Sequence, residues 1–229
     1  MNPKIDIKVF QADNGDCPYL QKRRWCSYVF YSDKLQPGIY ESLLDQGFRR
    51  SGTIFYKNNC PNCKLCIPIK IPVNVFQISR SQKRVLKQNQ DVIITKEPLA
   101  FDFESFNLYK KFSEKRFSTA IKEEEYHEFL AQSAVDTIMM KYYSEGKLIG
   151  VGWVDILVNA LSSVYFAFDP EISKRSLGVF SLLKEIELAR SLNKQYLHLG
   201  FWIKNCQTME YKAKYHPHLL LINDEWMYH

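Results

Sequence analysis

The stretch from Thr137 to Trp202 limits the possible folds more than any other. Two β-rich runs, "TIMMKYYSEGKLIGVGWVDIL", flank a Ser-Glu-Gly-Lys turn, and a third, "SSVYFAFD", follows directly. "RSLGVFSLLKEIELARSLN" then has helical period, with Val179, Leu182, Leu183 and Ile186 on one stripe, and "YLHLGFWI" returns to strand. Three meandering strands followed by a helical crossover to a fourth require an α+β fold. Two helical stretches, "FESFNLYKKFSEKRF" and "KEEEYHEFLAQSA", precede this unit, and a short helix, "TMEYKAKYH", follows it.

The first part of the chain is less regular. "KIDIKVF" alternates as a strand, "PGIYESLLDQGF" reads as a helix opened by Pro-Gly and stopped at Gly47, and "TIFYK" and "DVIITKEP" read as strands. "CIPIKIPV" also reads as a strand, with prolines that place it near a sheet edge. "SRSQKRVLKQN" is a basic helix capped by Ser79. A boundary at "EPLAFD" divides a small N-terminal α/β Cys-containing basic domain, 1–98, from a second domain, 99–229. No apolar run reaches the roughly 18–20 residues of a membrane span, and the N-terminus lacks a signal-peptide pattern. The expected location is therefore cytoplasmic, where the six cysteines are thiols or ligands rather than disulfides.

A net charge of +6 is only mildly basic, but its distribution is uneven. Arg23, Arg24, Arg49, Arg50, Arg80, Lys83, Arg84 and Lys87 all precede residue 90, which suits a surface facing phosphate as well as it suits a solvated basic face.

Three stretches can carry chemistry. Cys60, Cys63 and Cys66 fall at three-residue spacing, and Cys17 or Cys26 would complete a four-thiolate set for zinc or an Fe–S cluster. Buried thiols without metal, or a redox switch, are the alternatives. In "FDPEISKRSLGVF" a strand ends at Asp169, Lys174 and Arg175 follow, and Gly178 opens a helix, an arrangement that binds anions or is simply capped. "GFRRSG" sets Arg49 and Arg50 side by side between two glycines, and Arg80 and Arg84 share a helix face; each pair suits a carboxylate or phosphate. No Ser-His-Asp set and no HExxH emerges among the histidines.

The strand and helix order of the second half is that of GNAT-like acyltransferases with a mixed, mostly antiparallel sheet. A coenzyme A acetyltransferase is disfavoured by Phe180, which stands where a second small residue would face the pyrophosphate. Taken together, "CPYL", "GFRRSG", "YKNNCPNCKLCIPIKIPV", "SRSQKR", "LYKKFSEKR", "FDPEISKRSLG", "LGFWI" and "MEYKAKY" resemble the aminoacyl-tRNA–protein transferases of the N-degron pathway over nearly the full length. The likeness extends to the bacterial aspartate/glutamate leucyltransferases and, more widely, to the arginyltransferases. Departures include Leu20 where some relatives carry a second cysteine, Gln21 for a proline, Phe117 after Arg116 in place of a histidine, and Phe168 for the tyrosine of a "YDP" motif.

The resemblance implies transfer of leucine, or alternatively arginine, from its tRNA to the α-amine of proteins beginning with Asp or Glu. The ester is already activated, so no cofactor is needed for the chemistry. The nucleophile is the acceptor amine, with a pKa of about 7.7–8, so positioning and oxyanion stabilisation can suffice. On that basis Arg49, Arg50 and Arg80 bind the acidic acceptor, and Arg84, Arg175, Ser176, Gly178 and Lys212 hold tRNA. Asp169 takes the amine's proton, Tyr165 and Tyr211 serve the ester, and Cys17, Cys60, Cys63 and Cys66 match the cysteines for which zinc or Fe–S binding is proposed. A Cys-ligated RNA-binding module without catalysis is the rival of another class.

Overall fold

The computed structural model describes residues 7–229. A four-stranded antiparallel sheet comes first, from β1 (Phe10–Asp16), β2 (Arg24–Tyr31), β3 (Arg49–Ser51) and β4 (Ile54–Asn58), in the order β1-β2-β4-β3. Between β2 and β3 runs α1 (Pro37–Asp45), which buries Tyr40, Leu43 and Leu44 against Phe30 and Phe55. The strand expected over residues 4–10 lies partly outside the described residues, and the ladder begins only at Phe10. Gly52 turns β3 into β4 at φ +57°, and a Cβ there would sit 1.9 Å from the carbonyl oxygen of Glu128.

The remaining strands belong to one larger sheet. In chain order they are β5 (Ile67–Pro72), β6 (Ile93–Pro98), β7 (Thr137–Ser144), β8 (Lys147–Ile156), β9 (Ala160–Phe168), β10 (Tyr196–Trp202), β11 (Leu219–Ile222) and β12 (Glu225–Tyr228). Their spatial order is β12-β11-β5-β10-β9-β8-β7-β6. The β7–β8–β9 meander is antiparallel as expected, and β10 returns parallel to β9.

The helices are α2 (Arg80–Gln88), α3 (Phe103–Phe117), the short α4 (Glu123–Tyr126), which continues as a π turn over His127–Ala131, and α5 (Leu177–Ser191). Ser79 caps α2 in a reciprocal capping box with Gln82, at 3.2 and 2.8 Å.

Two expectations change. Strand β5 is internal, between β10 and β11, rather than near an edge. Its prolines are tolerated because β11 pairs only with Ile69 and Lys70, while Pro72 ends the strand and Pro68 lies beyond the irregularity in the β10 ladder. The expected last α-helix is a 3-10 turn over Glu210–Lys214, and a β11–β12 hairpin follows it. The sheet also takes strands from both sides of residue 98, so the division there is one of sequence composition rather than of sheet.

α5 covers one face of the large sheet with Leu182, Leu183 and Ile186. On the other face α3 and α4 bury Phe106, Tyr109, Phe112 and Tyr126 around Trp153. The small sheet shares its core with Ala134, Val135, Leu157 and Ala160, which anchors β3 beside the start of β9.

Candidate functional site

β9 and β10 pair over only three positions, Ala160–Ser162 against Tyr196–His198, and then part. On its other side β10 breaks register with β5 between His198 and Phe201, where Gly200 adopts φ +82°. That conformation, strained for any other residue, bends β10 away from β9 and opens a wedge. Arg49 fills it. Its guanidinium lies 3.5 Å from where a Gly200 Cβ would be, and donates to Ser162 Oγ at 3.0 Å and to the Ser163 carbonyl at 2.6 Å. The residue is 8% exposed, and among the described residues no carboxylate lies within ion-pair distance of it. Buried cations normally have an anionic partner.

Arg50 has one. Successive side chains of a strand point to opposite faces, so it turns the other way, into a closed cluster. Its Nε donates to Asp155 Oδ2 at 2.8 Å, Nη2 bonds Asp155 Oδ1 and Thr137 Oγ1, and Nη1 reaches the Gly52 carbonyl. With side chains 2% and 0% exposed, the Arg50–Asp155 pair is a strut. This weighs against the expected acceptor role for Arg50, whose Nε and Nη2 donors are engaged within the protein and whose side chain is sealed from solvent.

Around Arg49 stand further polar groups. Lys212 donates to the Phe201 carbonyl at 2.9 Å and to Met209 Sδ at 3.4 Å. Burial, assisted by the Arg49 charge, lowers its amine to a pKa of about 7. Lys212 is half-buried, and both of its bonded partners belong to the protein. Glu185 of α5 is fully buried; Oε1 accepts from Ser181 Oγ at 3.1 Å, Ser181 meets Tyr142 Oη at 3.1 Å, and Oε2 has no hydrogen-bond partner. Burial raises its carboxyl to about 7. Tyr211, pushed up to about 12 by burial, feels both Glu185 and Arg116.

Tyr165 stands in an aromatic wall with Tyr109, Phe112, Phe129 and Trp153, its phenol raised by burial, within reach of the charge of Arg116 and of Tyr19. Tyr165 and Tyr211 thus share the charge of Arg116, and Tyr211 also that of Glu185. Glu185 had a signal: it falls three after Leu182 and four before Ala189, a carboxylate on the apolar stripe of α5. Arg116 and Tyr19 fall within the blocks "LYKKFSEKR" and "CPYL" that carry the resemblance.

The other expected residues serve the frame. Asp169, 2% exposed, caps the turn at Glu171 N (3.1 Å) and is paired with Lys111 at 2.9 Å and Lys147 at 3.3 Å. Burial favours a higher pKa, but those bonds outweigh it and hold the carboxyl below the usual aspartate range. A doubly paired, acidified carboxylate is a poor proton acceptor, which weighs against the expected role. A depression of about 530 Å³ beside it is lined by Lys111, Glu114, Lys115, Pro170 and Glu171, of which Lys111 and Glu171 already neutralise each other at 3.1 Å.

Arg175 is tied to Asp91, Asn89 Oδ1 (3.0 Å) and Ser144 Oγ (3.1 Å), fixing the turn before α5 rather than facing a ligand. Ser176 takes the left-handed conformation, and Gly178 looks onto open space. Arg80 and Arg84 are exposed on α2 with Lys83 and Lys87, a basic ridge turned away from the protein by inward Gln82 and Asn89.

All six cysteines are free. Cys17, Cys60 and Cys63 lie near enough to Cys66 to disfavour its ionisation, and burial with their help pushes that thiol up to about 12. Cys60 Sγ turns to the Cys26 carbonyl at 3.5 Å. Among the described residues no three His, Cys, Asp or Glu side chains converge as a metal set. A zinc site needs four donors about 2.0–2.3 Å from one point. Among the same residues no helix is long and apolar enough to cross a membrane.

The chain matches the family described as "Arginine-tRNA-protein transferase, N terminus" over residues 15–84 and its C-terminus counterpart over 104–222. It is 39% identical to the aspartate/glutamate leucyltransferase of Saccharophagus degradans, covering 97% of both chains. It is 37% identical to that of Chromobacterium violaceum, over 92% of this chain and 89% of the relative. Among solved structures, FemX superposes with a TM-score of 0.49 at 10% identity, covering 87% of this chain and 80% of FemX.

Proposed function

From the premise that the chain belongs to the arginine-tRNA-protein transferase family, we propose that it moves leucine from leucyl-tRNA to the α-amine of proteins that begin with Asp or Glu. The enzyme is an aminoacyltransferase, and leucine as donor rests on the names of its relatives. Its product carries a new amino-terminal leucine that marks it for degradation by an N-degron pathway in the cytoplasm. The observation that carries the reading is Arg49, a buried guanidinium in the β9–β10 wedge with no carboxylate of its own.

An Asp or Glu side chain supplies the missing anion, and a guanidinium held by two protein acceptors can still offer hydrogen bonds to it. Residues 1–98 contribute this arginine and residues 99–229 the wedge around it, so the acceptor is read where the two parts meet. The aromatic wall at Tyr165 offers apolar cover for a leucyl side chain. The exposed ridge of Arg80, Lys83, Arg84 and Lys87 is the tRNA surface; it sits beside Lys174 and Lys214, whose carbonyls accept from Gln88 and Gln82 of α2.

The test is a transfer assay with leucyl- and arginyl-tRNA against Asp-, Glu- and Lys-starting peptides. Leucine on the two acidic peptides alone is the expected result. Arginine in its place would move the donor, and RNA binding without turnover would leave a binding module. Arg49→Ala should abolish transfer while the protein stays folded.

A further inference from the structure

Lys212 is the odd one among the enclosed lysines. Lys70 and Lys141, 5% and 7% exposed, are each neutralised, by Asp45 at 2.6 Å and by Glu97 and Asp102 at 2.7 and 3.2 Å. Lys212 meets no carboxylate among the described residues; its Nζ faces a carbonyl oxygen and a thioether sulfur. It shares the wedge with Arg49, a second cation without an anion. A half-buried and a buried cation side by side without an ion-pair partner are unfavourable, and the guanidinium cannot give up its proton whereas the amine can.

We propose that Lys212 is the catalytic base that takes the proton from the acceptor's α-ammonium. This rests on the transferase reading above. With the acceptor side chain on Arg49, its α-nitrogen stands only a few bonds away; Glu185 and His198 also feel the Arg49 charge, but both are fully enclosed, whereas Lys212 is half-buried and can meet the acceptor. The groups facing that amine are the Arg49 guanidinium from β3, the Cys66 thiol at the start of β5 and the Cys206 thiol, with the Phe201 carbonyl and Met209 thioether as its bonded partners. Burial and the neighbouring guanidinium bring the amine to a pKa of about 7, so that a large share is free base near physiological pH and it is matched to an α-ammonium of pKa about 7.7–8.

The step balances. The ammonium gives one proton to Lys212 Nζ. The freed lone pair forms the C–N bond to the ester carbonyl, and the C–O bond to the ribose breaks. The nitrogen's second proton ends on the departing ribose oxygen, and Lys212 passes its proton to water.

Lys212→Arg separates this role from anion binding, because arginine is a permanent cation that could still hold an anion but cannot act as a base. With leucyl-tRNA and an Asp-starting peptide, the Arg variant of the full chain should lose roughly 10²-fold or more in rate at pH 7. That deficit should shrink toward pH 9, where the acceptor amine is already neutral. Lys212→Ala should show the same pH-dependent deficit and be partly rescued by trimethylamine, a base that cannot form a stable amide; thermal melting checks that both variants fold. An Arg variant within about threefold of wild type at pH 7 overturns the assignment. So does a deficit that is equal at every pH and unmoved by added amine. Wild-type protein inert toward every charged tRNA overturns the transferase reading itself, and the base assignment with it.

Discussion

The adjacent arginines of β3 should fail in opposite ways. Asp155→Ala removes the partner of a guanidinium whose side chain is 2% exposed and leaves it with only Thr137 Oγ1 and the Gly52 carbonyl. Breaking a buried pair from one side costs about 3–5 kcal/mol, because the surviving charge is stranded. For a chain of this size each kcal/mol moves the melting temperature by roughly 2–4 °C, so a fall of about 6–20 °C is expected. Replacing both partners, Arg50→Met with Asp155→Leu, removes the stranded charge and should recover most of that loss. Arg49→Met strands no anion; it gives up bonds to Ser162 and the Ser163 carbonyl and should cost about 1–3 kcal/mol while abolishing transfer to acidic peptides. Calorimetry and a single-turnover transfer assay on the same preparations read both effects. If Asp155→Ala melts with wild type yet cannot transfer, Arg50 is a substrate clamp and the division of labour is wrong.

Glu185 holds its proton to about pH 7 in the folded protein, because burial disfavours the carboxylate, whereas an exposed glutamate loses it near 4.5. Its contribution to stability is therefore complete below about pH 4.5 and lost as pH rises to about 7, up to ~3 kcal/mol. Glu185→Gln should flatten that part of the pH profile in urea unfolding, and an unchanged slope would assign it to other groups. Gly52→Ala would set a methyl 1.9 Å from the Glu128 carbonyl oxygen at φ +57° and should cost at least ~3 kcal/mol; an unshifted melting curve would contradict that contact. Arg84→Ala with Lys87→Ala should reduce the salt slope of tRNA binding by about 1.5–2, read by filter binding at several ionic strengths, and an unchanged slope would move the tRNA off α2.

The local parts of this fold are legible in the sequence, the long-range ones much less so. The Ser79 box, the Glu145-Gly146 turn and the stripe of α5 follow from spacing alone, because capping, turn geometry and amphipathicity are local. The site of β5 was hidden. Its prolines signal an edge, and only the partial pairing with β11 explains why they are tolerated inside. The C-terminal hairpin left a trace in Asn223-Asp224, both at positive φ, between two apolar runs. Strand periodicity separates Arg49 from Arg50 but cannot say which faces the wedge, since that depends on where β9 and β10 part. Asp169 and Arg175 have the look of chemistry in the sequence because charged residues around a loop do, yet their partners Lys111, Lys147 and Asp91 come from distant positions.

The seat of β5 between β10 and β11 sets an order of events during synthesis. Residues 67–72 leave the ribosome early, but both their neighbours belong to the last fifth of the chain. At roughly 5–20 residues per second the strand waits on the order of ten seconds with its hydrogen-bonding groups unmet. Pro68 and Pro72 remove two donors from that waiting segment, which makes it a poor template for another nascent chain. The wedge around Arg49 closes in the same late event, since β10 cannot take its place beside β9 and Arg49 before it exists.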